Sequence, residues 1–358
     1  MFTPPLSAAR IVTRNRNNTM LALSLLALGS IGLSLSANAQ ESRFITFDPP
    51  GSLSTDVYSI NAHGAITGDF YDGNAYHGFV RDRERKIQTF DGPGAVSTTG
   101  VSINSRGTIT GFYFDGAFLA HGFVRGRDGS MTSFDPVGSI DTEPTSINSG
   151  GTISGTYYDA GDVPHGFIRL NDGAIQSFDP PGSNGTFVTA MNVNGEITGY
   201  YNEGPFYQHG FLRSRDGAYT TFDPPAAFAT MPSGIDPAGE IIGSFYKIDL
   251  FEVHGWVRDP DGEIKIFNVP GATGTFPNGI NAAGVIAGNS VGNGGHGFVR
   301  NRDGQLTIFD VPRSATTHPR SINNKGVIAG DYTDASGVSH GFLRISEHDE
   351  EASTNSRR

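Results

Sequence analysis

The chain has 358 residues, no cysteine, 49 glycines and 20 prolines, with 25 basic against 36 acidic residues and a net charge of -11. This turn-rich but not charge-dense composition excludes a disordered chain, and the lack of cysteine excludes a disulfide-stapled scaffold. The acidic balance argues against nucleic acid and anionic membrane surfaces as partners.

The first 39 residues read differently from the rest. Arg10, Arg14 and Arg16 precede an apolar run from Met20 to Leu35, and Ala37-Asn38-Ala39 supplies small residues for a cleavage site. The pattern is that of a secretory signal peptide cut after Ala39. The apolar run is diluted by Ser24, Gly29, Ser30 and Gly32 and is shorter than the roughly 20 residues a membrane span needs. Losing the three arginines takes the net charge from -11 to -14. The mature protein is therefore expected to be secreted or periplasmic, not inserted in a membrane, and monomeric.

After the leader comes a lone strand-like segment, 44–48, and then a repeat. His-Gly-aromatic-aliphatic-Arg begins at His77, His121, His165, His209, His254, His296 and His340, with spacings of 44, 44, 44, 45, 42 and 44. Phe-Asp, once Phe-Asn, begins at Phe47, Phe90, Phe134, Phe178, Phe222, Phe267 and Phe309. Each unit carries four strand-like runs, as in 87–90, 101–104, 108–113 and 121–125, divided by turn signals. The links are an Asp-Pro-Pro-Gly type loop, an Asn-x-x-Gly turn at positions 61, 104, 148, 192, 236, 281 and 323, and a hairpin turn such as Arg127-Asp128-Gly129.

Four antiparallel strands in about 44 residues make one propeller blade. The expected fold is therefore all-β, a seven-bladed β-propeller over 40–345. The chain ends on three strands of a blade at Arg344, so the orphan strand 44–48 is expected to complete the last blade and close the ring. A solenoid would need atypical capping repeats, and neither end has one. The last segment, 346–358, has no large apolar residue and reads as a disordered charged tail.

The sevenfold His-Gly-Phe-x-Arg run, preceded by Ser-Ile-Asn-x-x-Gly and Ile-x-Gly, resembles the bacterial extracellular repeat family called HAF across 44–345. Trp256 in place of Phe, Asp236 in place of Asn and Asn268 in place of Asp depart from the pattern. The resemblance implies an exported repeat protein and carries no catalytic residue across.

A feature present in every blade is explained more economically by the blade than by a site. The repeated His and the next Phe-Asp acid are 14 residues apart, which places them opposite each other in a hairpin. His77 with Asp91, His121 with Asp135, His165 with Asp179, His209 with Asp223, His296 with Asp310 and, across the closure, His340 with Asp48 read as structural hydrogen-bond pairs. A metal site needs three or four ligands converging on one point, whereas these histidines are spread around a ring, so no metal and no cofactor is expected. The repeated Thr, eight residues after each Phe, is expected to bond nearby backbone. The repeated Arg is expected to pair with local carboxylates or carbonyls. Asp259-Pro260-Asp261-Gly262 reads as a hairpin turn and lacks the further ligands of a calcium loop.

Function is sought where the repeats differ. The loops before the histidines carry Tyr76, Phe118, Phe206, Tyr207 and Phe251, expected on one face. They suggest a binding or structural scaffold for a glycan, peptide or protein ligand, against the blander reading that the rings fold down over the blade tops. The alternative is a hydrolase or lyase at the mouth of the axial channel. Nine residues after each repeat Phe, the blade-specific ionisable groups Asp56, Glu143 and His318 occur, with Arg320 nearby, a set suited to acid-base chemistry if it converges.

Overall fold

The computed structural model of the protein describes residues 42–247, 252–292 and 294–346. The expected leader and all of the expected tail after Ser346 lie outside the described residues. Within them the chain forms 28 strands and no helix, in seven four-stranded antiparallel meanders. Units one to six span 54–90, 97–134, 139–178, 186–222, 227–267 and 274–309. The seventh takes three strands from 316–346 and its fourth from the start of the chain. Units four to six are also joined by single parallel bridges, Gln208 to Ala229 and Val253 to Gly274.

The opening strand is Ser42–Phe47, antiparallel to Ser339–Ser346, with Ile45 opposite Leu343 and Phe47 opposite Gly341. It starts two residues before the expected segment and releases Asp48 at its end. Pro49 and Pro50 follow, and a proline nitrogen has no hydrogen to give to a ladder.

The first strand of each unit is longer than its sequence suggests. In unit two it runs Ser97–Ile103, whereas the alternation reads as a strand only over 101–104. The cause is a β-bulge between Gly100 and Ser102, where two residues face one and the side-chain period slips. A comparable bulge lies between Val57 and Ser59 in unit one and between Pro319 and Ser321 in unit seven.

Packing between units rests on the repeat Phe. Phe134, on the fourth strand of unit two, meets Phe167 of unit three edge to face at 5.9 Å and 68°, and the Arg169 guanidinium lies 4.9 Å over its ring. Its opposite neighbour in the ladder is Gly122, where an added Cβ would fall 2.9 Å from the Phe134 ring, so only glycine lets the aromatic fold across the strand. The same Phe–Arg stack recurs in all seven repeats, with centroid distances from 4.6 to 5.0 Å.

The strand assignments show what this stack joins. Phe134 closes unit two (97–134), and Phe167 and Arg169 sit on the third strand of unit three (139–178). The repeat Phe therefore reaches forward out of its own unit into the next one. Phe47, in the seventh unit, reaches Phe79 and Arg81 of the first in the same way.

First strands of successive units also lie side by side, and the first strand of unit one contacts that of unit seven. At the Asn-x-x-Gly turns, Asn61 Nδ2 donates to the Asn104 carbonyl at 2.9 Å, and Asn323 Nδ2 donates to the Asn61 carbonyl at 3.2 Å. Each such Asn also accepts the backbone N–H groups two and four residues on, as Asn61 Oδ1 does from His63 and Ala65.

Each junction thus combines a buried aromatic pair with a cation over a ring. Phe134→Ala is expected to lower stability by about 3–5 kcal/mol, the range for emptying a large aromatic site. Arg169→Ala should cost less, about 1–2 kcal/mol, and the two changes should be non-additive in a double-mutant cycle followed by urea denaturation. Additivity would show that the stack contributes nothing.

Candidate functional site

Four antiparallel strands send alternate connections to opposite ends of a unit. The Asn-x-x-Gly and Arg-Asp-Gly turns share one end. The loops before the histidines and the Asp-Pro-Pro-Gly loops share the other, the loop end, where the first strands also begin.

At that end the structure brings the repeated histidines and acids together. Nδ1 lies 2.8 Å from the carboxylate in His77–Asp91, His121–Asp135, His165–Asp179 and His340–Asp48, 2.6 Å in His209–Asp223 and 2.9 Å in His296–Asp310. In unit five His254 meets Asn268 at 3.0 Å. A second acid, from the loop before the His, faces the other ring nitrogen: Asp72 is 3.4 Å from His77 Nε2, Asp115 is 3.6 Å from His121 and Glu203 is 3.0 Å from His209. The ring also stacks on the preceding strand, as Tyr157 does on His165 at 5.2 Å.

Burial works against the charged form of His77, His121 and His165, but the two carboxylates around each outweigh it and raise the imidazole above its usual value. The repeated Thr divides its role. Thr55 donates to Asp48, Thr186 to Asp179 and Thr230 to Asp223, while Thr98, Thr275 and Thr317 accept backbone N–H groups. Only the second group matches the expected backbone role. The repeated Arg also departs from expectation: its guanidinium touches the next carbonyl weakly, at 3.4 Å in Arg169, and its main partner is the Phe ring of the neighbouring unit.

The blade-specific groups form a separate set. Residues 9, 11 and 22 positions after each repeat Phe come together, the second being the bulge residue and the third pairing with the first. Sequence reasoning identified the ninth position and Arg320, but not Tyr58 at the eleventh or Asp69 and Asp331 at the twenty-second. The signal was available as variation between the constant Gly residues and isoleucines flanking these positions.

In units one and seven the set is charged. Asp331, 2 % exposed, accepts from Arg320 Nε at 2.7 Å and faces His318 Nδ1 at 3.2 Å. Arg320 and His318 hold Asp331 below the usual carboxylate range despite its burial. Asp56 pairs across the ladder with Asp69 and reaches Ser339 Oγ at 3.2 Å. Burial, then Asp331, raises Asp56. Asp69 is 4 % exposed and is pushed up to about 8, first by burial and then by Asp56. Thr99 donates to its Oδ2 at 2.8 Å, and its Oδ1 has no hydrogen-bond partner among the described residues. Asp56, His318 and Arg320 thus share one cluster.

Glu143 belongs to a different grouping, with Tyr158 and Tyr200. Burial and then Glu143 push Tyr200 up to about 12. Tyr200 stacks on Phe187 at 4.8 Å and 15°.

The loop aromatics split in two. Tyr76 packs on Tyr71 at 5.1 Å, and Tyr207 packs on Phe228 at 5.7 Å. Phe118 and Phe206 stand out, 74 % and 67 % exposed. Phe118 also has a φ of 62° in a turn slot where other units use Asp162 or Gly337. A side chain in that left-handed region costs about 1–2 kcal/mol, so the exposed ring is held at the expense of local stability. Phe251 lies outside the described residues.

No protein-family model and no curated protein matches the chain. Solved structures do resemble it: a streptogramin B lyase, at 16% identity over 84% of this chain and 97% of that one, TM-score 0.57. A catalytically inactive virginiamycin B lyase from Staphylococcus aureus with quinupristin is similar at 14% identity, covering 85% and 100% of the two chains, TM-score 0.59. The β-propeller domain of Myceliophteria thermophila Cps50 (Swd1) is similar at 11%, covering 86% and 100%, TM-score 0.55. The fold is that of a β-propeller. At these identities the likeness carries the fold alone.

The ionisable groups set a direction for stability against pH. A raised histidine contributes stability that is complete below its unfolded value of about 6.5 and is lost as pH rises through the folded value. Asp69, raised to about 8, likewise binds a proton in the folded state that the unfolded chain has released, so it too removes stability as pH rises. Asp72, Asp115 and Asp159, lowered chiefly by backbone N–H groups, lose their contribution only as pH falls below about 4. The melting temperature is therefore expected to be highest near about pH 4 to 5, to fall as pH rises toward 8 through Asp69, and to fall more steeply above about 6.5 as the histidines add their loss. Asp69→Asn should flatten the decline and raise the melting temperature at pH 8.5 more than at pH 6. Equal shifts at both pH values would show that Asp69 does not titrate with folding.

Proposed function

We propose that the chain is a closed seven-bladed β-propeller, exported from the cell and akin to the HAF repeat proteins, that serves as a binding scaffold through its loop end. Closure is supported by the strand Ser42–Phe47 completing the seventh unit, by Phe47 stacking under Arg81, and by Asn323 bonding to Asn61. The observation that carries the binding role is a division of labour. The repeated His, Asp, Thr and Arg are occupied by partners of the repeat itself, whereas the unmatched groups collect at the loop end. There the exposed rings of Phe118 and Phe206 offer flat apolar faces, and the surrounding carboxylates supply acceptors, a surface suited to a glycan, peptide or protein ligand.

The acid-base alternative at the channel mouth has one specific observation in its favour. Asp331 is buried and faces Nδ1 of His318, which leaves Nε2 of a partly exposed imidazole as a base, the arrangement of an oriented general base. Glu143 is not part of that arrangement.

Two measurements test the leading reading. Small-angle scattering should give a compact disc with a radius of gyration of about 20 Å, the value for a folded chain of this size; an elongated superhelix would remove the closed ring. Glycan and peptide arrays probed with the mature protein should give a signal that Phe118→Ala and Phe206→Ala each weaken by about tenfold, a typical loss for an interface aromatic. A signal unchanged in both variants would remove the aromatic surface from the function.

A further inference from the structure

The unpartnered oxygen of Asp69 points to a ligand. A buried carboxyl oxygen without a donor is rare, and each instance calls for a reason, because leaving it unsatisfied is destabilising. Here the deficit is compounded by position: Asp69 lies directly opposite Asp56 in the ladder, and Asp331 is also near. The groups around it are the Thr99 hydroxyl, already committed to Oδ2, and the Tyr58 hydroxyl. Arg320 and His318, the cluster's positive or donor groups, are both held by Asp331. What the site lacks is one donor, preferably a cation, between Asp56 and Asp69.

Solvent reaches the rim of the cluster, not Asp69 itself. The Arg320 side chain keeps 40 % of its surface and that of His318 keeps 29 %, although both sit on a first strand flanked by neighbouring units. In the closed seven-bladed reading, on which this inference rests, units one and seven adjoin and unit four stands across the axis from them. Unit four contributes Phe187 stacked on Tyr200. The two walls thus differ in kind, one acidic and the other aromatic. Among the described residues no three His, Asp or Glu side chains are placed to hold a metal ion, which favours an organic cation over an inorganic one.

We infer that the loop end, where the first strands of units one and seven meet, binds a primary ammonium group on an apolar or aromatic body, with the ammonium between Asp56 and Asp69 and the body toward Phe187 and Tyr200. An ammonium supplies three donors, enough for the unpartnered Oδ1 and for Asp56 together. With its carboxyl pushed up to about 8, Asp69 is expected to hold a proton at neutral pH while the site is empty. Binding replaces that proton with the ligand's charge: the ammonium stays protonated, the Asp69 proton leaves to solvent, and one charge enters as one departs. Tyr58 on the same strand, Tyr76 on the third strand of unit one, Arg320 and His318 on the facing first strand and Asp331 beside them are the other ionisable groups facing this point.

Isothermal titration calorimetry at pH 7, in two buffers of different ionisation enthalpy, tests this with benzylammonium and benzyl alcohol as probes. Benzylammonium should saturate the protein with a Kd of about 1 mM or tighter and release close to one proton, while benzyl alcohol should bind at least about tenfold more weakly. Asp69→Asn should abolish the proton release and weaken benzylammonium by about tenfold or more. Tyr58→Phe, which leaves the carboxyls in place, should keep the proton release. Asp128→Asn, on a turn at the opposite end, should change neither quantity. Melting curves show whether each variant is folded. Equal binding of the alcohol, no proton release, no binding near 1 mM, or an undiminished affinity in folded Asp69→Asn would each overturn the site. Because scattering reports the ring directly, loss of binding in a compact disc rejects the ammonium site alone, whereas an open superhelix rejects the propeller reading beneath it.

Discussion

The aromatic ring that each unit lends to the next is the interaction on which the rest of the structure depends. A four-stranded meander has two faces and cannot cover them itself, so it is stable only when stacked. The repeat Phe supplies the stacking contact, with the edge of a second aromatic on one side and a guanidinium over its face. The Arg aliphatic stem adds cover and the guanidinium lies flat on the ring even where Arg81, Arg125 and Arg258 are buried, a combination a lysine would not reproduce because it has no flat face to lay on the ring. The glycine between His and Phe belongs to the same device, since any larger residue would occupy the space the ring needs.

Once the units are stacked, the His, Asp and Thr of the loop end become local fasteners. Each links the third strand to the fourth, and in three units through the fourth to the first strand of the next, as Asp179 does between His165 and Thr186. The partners are only partly buried, so each pair contributes modestly, but the same small term recurs in every unit. The result is a loop end whose repeated polar groups are spoken for, against which the odd groups Asp69, Asp331 and Arg320 stand out.

Much of this was legible in the sequence because a period of about 44 residues exposes every invariant position at once. The His–Asp spacing of 14 placed the two in register without any coordinates. The Arg–Phe stack was not legible, because it joins residues of different units and nothing in one repeat distinguishes a ring from a carboxylate as partner. Asp72 and Asp115 were hidden by their loops, which vary in length and composition. Tyr58 was missed for a different reason, because it is the bulge residue where the two-residue alternation breaks, whereas Asp69 and Asp331 lie on the unbulged second strand and join the set only by pairing with Asp56 and His318.

The forward reach of the Phe has a consequence for how such a chain can be copied and shortened. Six junctions use the same residue types in the same roles and the seventh sets Trp256 where the others have Phe, so excising one complete repeat would still join a Phe to an Arg and leave no partner missing. Pair chemistry is therefore indifferent to the number of units. What fixes the number has to be the angle at which one meander leans on the next, set by the width of the aromatic wedge at the outer strands against the small residues, such as Ser59, Ser102 and Ser321, that let the inner strands approach. A gene encoding such interchangeable junctions can gain or lose a repeat in a single recombination without changing the kind of contact, and geometry alone then selects which lengths close.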